Sequence, residues 1–179
     1  MISKDSTSKK NSFCLRCGHS LQEFIDEGNQ NRLKCAKCGW ILYRNPVPAS
    51  ACVILNTKSE LLIIRRKFPP QPGEWALPSG YIEINNDPEE TAVIEMKEET
   101  GLDGEVERFL GYFPDYSPIY EKVISFGFLM KIKGGKLMAG DDASEAKFVN
   151  AHEMPPIAFK SHRYFIEKVR QLLENPEQS

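Results

Sequence analysis

The sequence predicts an α/β fold in two parts, a small cysteine-rich module followed by a larger domain. Three observations support this prediction. Four of the five cysteines stand in two C-x-x-C pairs near the N-terminus, strand-like apolar runs fill the middle of the chain, and helical patterns occupy residues 88–100 and 160–174. With 179 residues and 41% hydrophobic residues, the chain can bury one main core and a small second one.

The bulk composition excludes several classes of protein. A net charge of -2 gives no general attraction to nucleic acid or to an anionic membrane. No run approaches the roughly 18 apolar residues of a membrane helix, and residues 1–12 lack the apolar core of a signal peptide. We therefore expect a cytoplasmic protein without a membrane partner, and we expect the polar residues 1–11 to be a disordered tail.

Four cysteines have the spacing of a metal site, C-x2-C-x17-C-x2-C, at Cys14, Cys17, Cys35 and Cys38. A two-residue gap lets both thiolates of a pair turn onto one ion, and the glycine after each pair can adopt a positive φ. Four thiolates close a tetrahedral site, so the pattern predicts a zinc ribbon over residues 12–45 in which Zn²⁺ is structural. A disulfide pair and a redox C-x-x-C are the alternatives, and two pairs at this spacing favour zinc.

The ribbon is expected to contain a short hairpin around residues 27–29. Basic residues outnumber acidic ones by four in residues 1–45, but Zn²⁺ with four thiolates carries about -2, which argues against nucleic acid as a partner. The segment Asn45-Pro46-Val47-Pro48 marks the expected start of the second domain, residues 46–175.

Two buried strands are predicted at residues 49–55 and 60–67, and their short connection predicts an antiparallel pair. Arg65 and Arg66 end the second strand as candidate phosphate contacts, with a solvated strand end as the alternative. Adjacent strand residues face opposite ways, so at most one of these arginines is expected to point into a site. The proline-rich residues 68–73 must be loop, and residues 81–84 read as a further short strand.

A helix is predicted from Pro88 to Thr100. Asp87 can cap it, proline suits its first position, Glu90 completes a capping box, and Gly101 can end it. Glu95, Glu98 and Glu99 stand at i, i+3 and i+4 on one face, where like charges repel by about 0.2–0.5 kcal/mol per pair. A hard divalent cation would neutralise them, and an acidic solvated helix face is the alternative.

The residues around this helix resemble the signature of the Nudix hydrolase family, G-x5-E-x7-R-E-U-x-E-E-x-G-U, in which U is apolar. When the signature is aligned from Gly80, the chain matches all of its positions except two. The matching residues after Gly80 are Glu95, Met96, Glu98, Glu99, Gly101 and Leu102. The resemblance covers residues 12–175, and the leading ribbon is similar to that of the ADP-ribose, FAD and NADH pyrophosphatase subgroup. It implies an α/β/α sandwich with a mixed sheet.

The resemblance also implies an activity, the metal-dependent hydrolysis of a pyrophosphate bond in a nucleoside diphosphate linked to another moiety. Its partner would be a small-molecule nucleotide. Glu95, Glu98 and Glu99 would hold Mg²⁺ or Mn²⁺, and Gly80 would contribute its carbonyl. Glu145, near the position of a late family glutamate, is a further candidate ligand or base. A homodimer stays open as an alternative to a monomer.

Two signature positions depart from the family pattern, because Asn86 replaces the first glutamate and Ile94 replaces the arginine. The family pair orients the catalytic glutamate, so the orientation of Glu95 and the rate are in question. The rival hypothesis is a Nudix domain that binds a nucleotide without cutting it and uses the ribbon to contact protein or nucleic acid. A Ser-Gln-Pro-Trp-type motif is absent, which argues against NADH as substrate.

Downstream, strands are expected at residues 106–113 and 123–132, separated by a loop at residues 114–120. Tyr116 and Tyr120 in this loop can stack on a base, or they are ordinary surface tyrosines. The chain closes with an amphipathic helix over residues 160–174. His152 and His162 are expected to be surface or structural residues.

Overall fold

The structure, a computed structural model, describes residues 12–174. The predicted disordered tail and residue 175 of the predicted second domain lie outside the described residues. The chain divides into two compact units, with the boundary between Asn45 and Pro46. None of the helices in residues 12–174 is long and apolar enough to cross a membrane.

The first unit is a three-stranded antiparallel sheet of β1 (Leu21–Ile25), β2 (Asn31–Cys35) and β3 (Ile41–Leu42). The predicted hairpin is confirmed, because β1 pairs with β2 across the turn at residues 26–30. Asp26 closes this turn by accepting a hydrogen bond from the backbone N–H of Gln30 at 2.9 Å and from Arg32 Nε at 2.6 Å. Asn29 adopts the left-handed conformation that the turn requires, with φ 58°.

The second unit contains two sheets and two helices within residues 46–174. Its strands are β4 (Val47–Ile54), β5 (Leu61–Arg66), β6 (Trp75–Ala76), β7 (Ser79–Tyr81), β8 (Leu102–Ser117), β9 (Glu121–Gly135) and β10 (Ala143–Val149). The helices are α1 (Pro88–Thr100) and α2 (Lys160–Glu174). One sheet has the order β7-β4-β9-β8 and is mixed, because β4 and β9 run parallel; the other is antiparallel with the order β10-β5-β6.

The side chains of β4 and β5 alternate between two cores. Cys52 and Ile54 of β4 pack with Met96 of α1, whereas Ala51 and Val53 pack with Phe165 of α2. Successive strand residues point to opposite faces, so the two helices cover opposite sides of the strands. The predicted α/β/α arrangement with a mixed sheet is therefore confirmed.

The predicted antiparallel pair of residues 49–55 and 60–67 is wrong. β4 pairs with β7 and β9, whereas β5 pairs with β10 and β6, and an isolated bridge between Leu55 and Leu61 joins the two. Both strands are buried on both faces, so each is an interior strand with two other neighbours. The short connection fixes where the second strand starts but not which strands it pairs with.

Two other predicted boundaries change. The strand expected at residues 81–84 ends at Tyr81, and β8 runs into the expected loop as far as Ser117. β8 is an edge strand, where Pro114 is tolerated because one side of the strand has no ladder to interrupt. The turn that remains, residues 118–120, still carries Tyr120.

Helix α1 begins and ends where the sequence predicts. The Asp87 carboxylate accepts the N–H of Glu90 at 2.8 Å, and the Glu90 carboxylate accepts the N–H of Asp87 at 3.0 Å. Gly101 ends the helix in the left-handed conformation, with φ 71°. These caps fix where the helix begins and ends, and the packing of Ala92 and Met96 in the core sets which face turns inward.

His162 joins α2 to the segment that leads into β7. It is buried, and its Nδ1 accepts the backbone N–H of Leu77 at 3.0 Å. Burial, with the nearby Arg66 guanidinium, lowers the pKa of His162 to about 3, so the ring is neutral and carries its hydrogen on Nε2. His152, in contrast, is exposed in a short 3₁₀ turn.

The neutral His162 predicts a loss of stability in acid. The unfolded ring takes up a proton below a pKa of about 6.5, whereas the folded ring stays neutral down to about 3. The free energy of unfolding should therefore fall with decreasing pH in this window, by up to about 1.4 kcal/mol per pH unit from this group. Urea unfolding of the native protein and of His162→Asn, whose amide can still accept from Leu77, measures the difference.

We expect the two stability curves to converge between about pH 6.5 and pH 4. His152→Asn is the matched control, because the His152 side chain is exposed and lies outside the core. Curves for His162→Asn and the native protein that stay parallel over this range would contradict the structural role of the neutral ring.

Candidate active site

A cleft of about 770 Å³ opens in the second unit, along one face of α1 and beside the start of α2. Its lining falls into two groups. The residues on the α1 side, which we call the acidic lobe, are Gly80, Glu95, Glu98, Asp141 and Asp142. Those on the α2 side, which we call the aromatic lobe, include the rings Tyr81, Tyr116, Tyr120 and Phe159. A cleft of this volume can enclose a ligand the size of a nucleotide.

Glu95 lies directly against Gly80 of β7. A Cβ on Gly80 would overlap the Glu95 carboxylate, so a residue with any side chain there would force this carboxylate to move away from the strand. Partial burial, followed by the charges of Glu98, Asp142 and Asp141 in that order, raises the pKa of Glu95 to about 7. The carboxylate thus sits among like charges with a backbone segment close to it.

Glu99 differs from its two neighbours because it is buried, with 2% of its surface exposed. Its carboxylate accepts the backbone N–H of Ser79 at 2.8 Å. The pKa of Glu99 is raised to about 8, mainly by burial and also by the charge of Glu95, against the lowering effect of the Ser79 N–H. The three glutamates predicted on one face are therefore close together, with Glu95 and Glu98 lining the cleft and Glu99 enclosed beside them.

Asp141 and Asp142 enter the cleft from the loop before β10, and the sequence analysis did not select them. Lys67 holds this loop, because its Nζ donates to the Asp141 carbonyl at 2.6 Å and its backbone N–H donates to the Asp142 carbonyl at 2.8 Å. The only feature of the sequence that could have indicated these residues is the pair of consecutive aspartates just before the last strand. Nothing local in the sequence indicates that this loop turns toward α1.

Glu145 does not line the cleft. It lies on β10, where its carboxylate is 4.0 Å from Arg65 Nη1 and 3.7 Å from Lys147 Nζ. The structure therefore does not bring Glu145 together with the α1 glutamates. Asp141 and Asp142 lie in the cleft instead and are better placed to act as the further ligand or base.

The two arginines at the end of β5 point in different directions. Arg66 lines the cleft, with its Nε donating to the Pro70 carbonyl at 2.8 Å and its guanidinium 5.2 Å from the Phe159 ring centroid. Arg65 does not line the cleft and donates from Nε to the Gly73 carbonyl at 2.9 Å. This is the arrangement that strand alternation predicts, and it leaves Arg66 as the one candidate for phosphate contact.

Both tyrosines of the predicted loop line the cleft. The Tyr120 ring packs edge-on against Tyr81, with centroids 5.2 Å apart, whereas Tyr116 is largely exposed at the rim. Tyr81 was not selected from the sequence, because only the pairing of β7 with β4 shows which way its ring points.

The two departures from the family signature also face the cleft. Asn86 and Ile94 both line it, and the Ile94 side chain is 38% exposed. The part of the cleft wall where the family signature places a glutamate and an arginine is thus uncharged. Among the described lining residues, six carboxylates face one arginine, with acids at Glu83, Glu95, Glu98, Asp115, Asp141 and Asp142. Such an excess of negative charge suits a divalent cation.

The four cysteines of the first unit form a second candidate centre. Their sulfur atoms all lie within 4.8 Å of one another, and Cys14–Cys38, Cys17–Cys35 and Cys17–Cys38 are 3.5 Å apart. Bonds of about 2.3 Å to one ion would give sulfur separations of about 3.8 Å, so the cluster fits a tetrahedral site. Within residues 12–174, no set of cleft carboxylates converges this closely.

The backbone around the cysteines supports this geometry. Gly18 and Gly39, which follow the two pairs, adopt φ 70° and 74°, as the spacing predicts. The backbone N–H of Cys38 is the main cause that lowers the pKa of Cys35 to about 6, whereas burial and the neighbouring thiols raise the pKa of Cys17 to about 12, so one thiolate is favoured without an ion.

Comparison with known proteins identifies the family. The family model described as NUDIX domain matches residues 45–169, and the one described as Nudix N-terminal, a zinc ribbon, matches residues 12–44. An ADP-ribose pyrophosphatase of Methanocaldococcus jannaschii is 39% identical over 131 residues, which are 72% of this chain and 76% of that protein.

Other relatives are more distant or longer. The NAD-capped RNA hydrolase NudC of Haemophilus influenzae is 29% identical over 131 residues, 72% of this chain but 47% of that protein, so the match spans about half of NudC. A crystal structure of a NUDIX hydrolase from Nitrosomonas europaea is similar with a TM-score of 0.74 and 26% identity, covering 93% of each chain. The cleft, the glutamates of α1 and these matches together show that the chain belongs to the Nudix hydrolase family, as a NUDIX domain preceded by the Nudix N-terminal zinc ribbon.

Proposed function

We propose that this Nudix hydrolase cleaves the pyrophosphate bond of a nucleoside diphosphate linked to another moiety, with ADP-ribose as the representative substrate and Mg²⁺ or Mn²⁺ as cofactor. The observation that carries the proposal is the contact between Gly80 and the Glu95 carboxylate, beside Glu98 and Glu99, in the wall of a nucleotide-sized cleft. A carboxylate group of this kind is a binding site for hard cations.

The residues present fit such a cation. Glu95, Glu98 and Glu99 offer carboxylate oxygens, and the absence of a Cβ at Gly80 gives its carbonyl room to approach an ion held there. The pKa of Glu95 is raised first by burial and then by repulsion from neighbouring carboxylates, and a bound cation would relieve this repulsion. The chemistry that Mg²⁺ or Mn²⁺ supplies when bound is neutralisation of phosphate charge and acidification of the attacking water.

The chain's own groups have two further roles in the proposal. Arg66 contacts the diphosphate, because the Pro70 carbonyl and the Phe159 ring hold its guanidinium in the cleft while other N–H donors remain free. An acid that faces the cleft takes the proton from water, and Glu98, Asp141 and Asp142 are the candidates. Glu145 is a weaker candidate than it was from the sequence, since it lies on β10 outside the cleft lining.

Two observations support ADP-ribose as the representative substrate. The relative named ADP-ribose pyrophosphatase shares 39% identity over 72% of this chain and 76% of its own length. Six cleft carboxylates also disfavour substrates with phosphates beyond the diphosphate. In this proposal Tyr116 and Tyr120 stack on the base.

The rival function is binding without hydrolysis, and Asn86 and Ile94 favour it. Without their ion pair, Glu95 loses one means of orientation. In the proposed enzyme Glu95 is placed instead by its contact with Gly80, whose missing side chain leaves the carboxylate room beside the strand. The two functions differ in turnover, which the next experiment measures.

We expect the native protein to hydrolyse ADP-ribose with Mg²⁺ or Mn²⁺, and Glu98→Gln to lower kcat at least about 100-fold, the usual contribution of a base or a cation ligand. Glu145→Gln is the matched control and should stay within about twofold, since its carboxylate lies outside the cleft. Assays with ADP-ribose, FAD, NADH, diadenosine polyphosphates and nucleoside triphosphates measure the range. No turnover of any of them, or equal losses in the two variants, would contradict the proposal.

We also propose Zn²⁺ as the ion of the cysteine centre. The four-sulfur donor set and the sulfur spacing support zinc, and thiols that must stay reduced to bind it support a cytoplasmic location.

Metal analysis should find about one zinc per native chain, in the stoichiometry of a closed four-thiolate site. Cys35→Ser should lose zinc and the hydrogen-exchange protection of β1 and β2, because ribbons of this kind fold on metal binding. Cys52→Ala removes the one described cysteine outside the cluster and should keep the zinc. Zinc retained in Cys35→Ser, or lost equally in both variants, is the result that counts against the site.

A further inference from the structure

The aromatic lobe contains a polar group that the proposed hydrolysis does not use. Its floor is made of Ala49, Val123 and Ser125, neighbours on β4 and β9, with the rings of Tyr81 and Phe159 at its sides. The small floor residues leave room for a flat group, and the rings offer it stacking surfaces. Asp115 of β8 and the start of α2 close the lobe.

Asp115 is fixed by two backbone hydrogen bonds. Its Oδ2 accepts the N–H of Ser161 at 3.0 Å, and its Oδ1 accepts the N–H of Tyr116 at 3.1 Å. The first of these bonds caps the N-terminus of α2. A carboxylate has about four lone-pair directions, so each oxygen can still accept one donor from the cleft.

Three other polar groups face the same space. Ser125 and Ser161 are 6% and 2% exposed, and neither hydroxyl has a protein partner among the described residues. No fully enclosed polar side-chain atom in residues 12–174 lacks a partner, so these hydroxyls open onto the cleft. The His162 ring also lines the cleft, and its Nε2 carries the hydrogen because Nδ1 accepts from Leu77.

The lobe therefore presents one fixed acceptor, one fixed donor and two hydroxyls that can do either. Its charge is negative through Asp115, which opposes a phosphate and favours an uncharged group that donates hydrogen bonds. Stacking surfaces select a planar group over a sugar. A nucleobase with an amino group next to a ring nitrogen combines these properties.

We infer that the aromatic lobe binds the nucleobase, and that Asp115 sets base specificity by accepting a hydrogen bond from the exocyclic amino group of adenine. The choice of adenine rests on the proposed function. His162 Nε2–H or a serine hydroxyl donates to a ring nitrogen of the same base. Asp115 thus caps α2 and also binds the amino group of the base, so the substrate contacts a residue that the fold already holds in place.

The test compares ADP-ribose with IDP-ribose, which carries a carbonyl where adenine has its amino group. In the native, zinc-loaded protein with Mg²⁺, we expect kcat/KM to favour ADP-ribose by at least about tenfold, since a carbonyl facing a carboxylate leaves both acceptors without a donor. Asp115→Asn keeps an oxygen to cap α2 and adds an N–H₂ group that can donate to the carbonyl. Its preference should fall to within about threefold of unity.

Asp103→Asn is the matched control, because Asp103 lies at the other end of β8 in an exposed pair with Lys97 and does not line the cleft. It should keep the native preference. Equal losses for both substrates in Asp115→Asn would reduce Asp115 to a helix cap and overturn the inference, as would a native protein that does not discriminate.

Binding separates this inference from the proposed hydrolysis. Calorimetry of ADP-ribose and IDP-ribose with Glu98→Gln and with Glu98→Gln/Asp115→Asn measures the same preference without turnover. A preference for ADP-ribose that Asp115→Asn removes, in a protein that hydrolyses neither compound, would uphold the base site while the hydrolase proposal fails. Turnover of both substrates without any preference in rate or binding would uphold the hydrolase proposal and overturn the base site.

Discussion

The close approach of β7 to α1 at Gly80 is the constraint on which the candidate site depends. A glycine there lets the strand backbone reach the Glu95 carboxylate. The preceding residue, Ser79, donates its backbone N–H to the Glu99 carboxylate at 2.8 Å. Two residues of one short strand thus fix two glutamates of the helix. β7 pairs with β4, and Ser50 and Cys52 of β4 donate side-chain hydrogen bonds to the Pro88 and Ala92 carbonyls of α1, which holds strand and helix close together.

The same site concentrates charge that the fold does not neutralise with cations of its own. Burial and mutual repulsion raise the pKa values of Glu95 to about 7 and of Glu99 to about 8, and the lining contributes Arg66 as its one described basic side chain. Lys67 and the α1 C-terminus hold the loop of Asp141 and Asp142 in place, which adds further carboxylates. A cation that binds this cleft would therefore stabilise the folded protein.

The features predicted from the sequence are those that local chemistry determines. Asp87, Glu90 and Gly101 act on their immediate neighbours, so the ends of α1 follow from residue type, and the C-x-x-C turns follow from the glycines after them. Strand alternation predicted that Arg65 and Arg66 would separate but not which one would face the cleft. The features that were missed depend on pairing between distant segments: β5 with β10 instead of β4, Asp141 and Asp142 turned toward α1, and Glu145 turned away. Hydrophobic patterns say that a strand is buried, but they do not name its neighbours.

The central claim is that α1 and Gly80 form a cation site, and Mn²⁺ binding to the zinc-loaded protein tests it most directly. Gly80→Ala introduces the Cβ that would overlap Glu95, whereas Ser79→Ala changes a side chain but keeps the backbone N–H that holds Glu99. Titration of the native protein and both variants, with thermal unfolding as a check on folding, should give a Kd for Mn²⁺ that rises at least about tenfold in Gly80→Ala, a loss typical of disturbed metal ligands. Ser79→Ala should stay within about twofold of the native value. A folded Gly80→Ala variant that binds Mn²⁺ as tightly as the native protein would contradict the account.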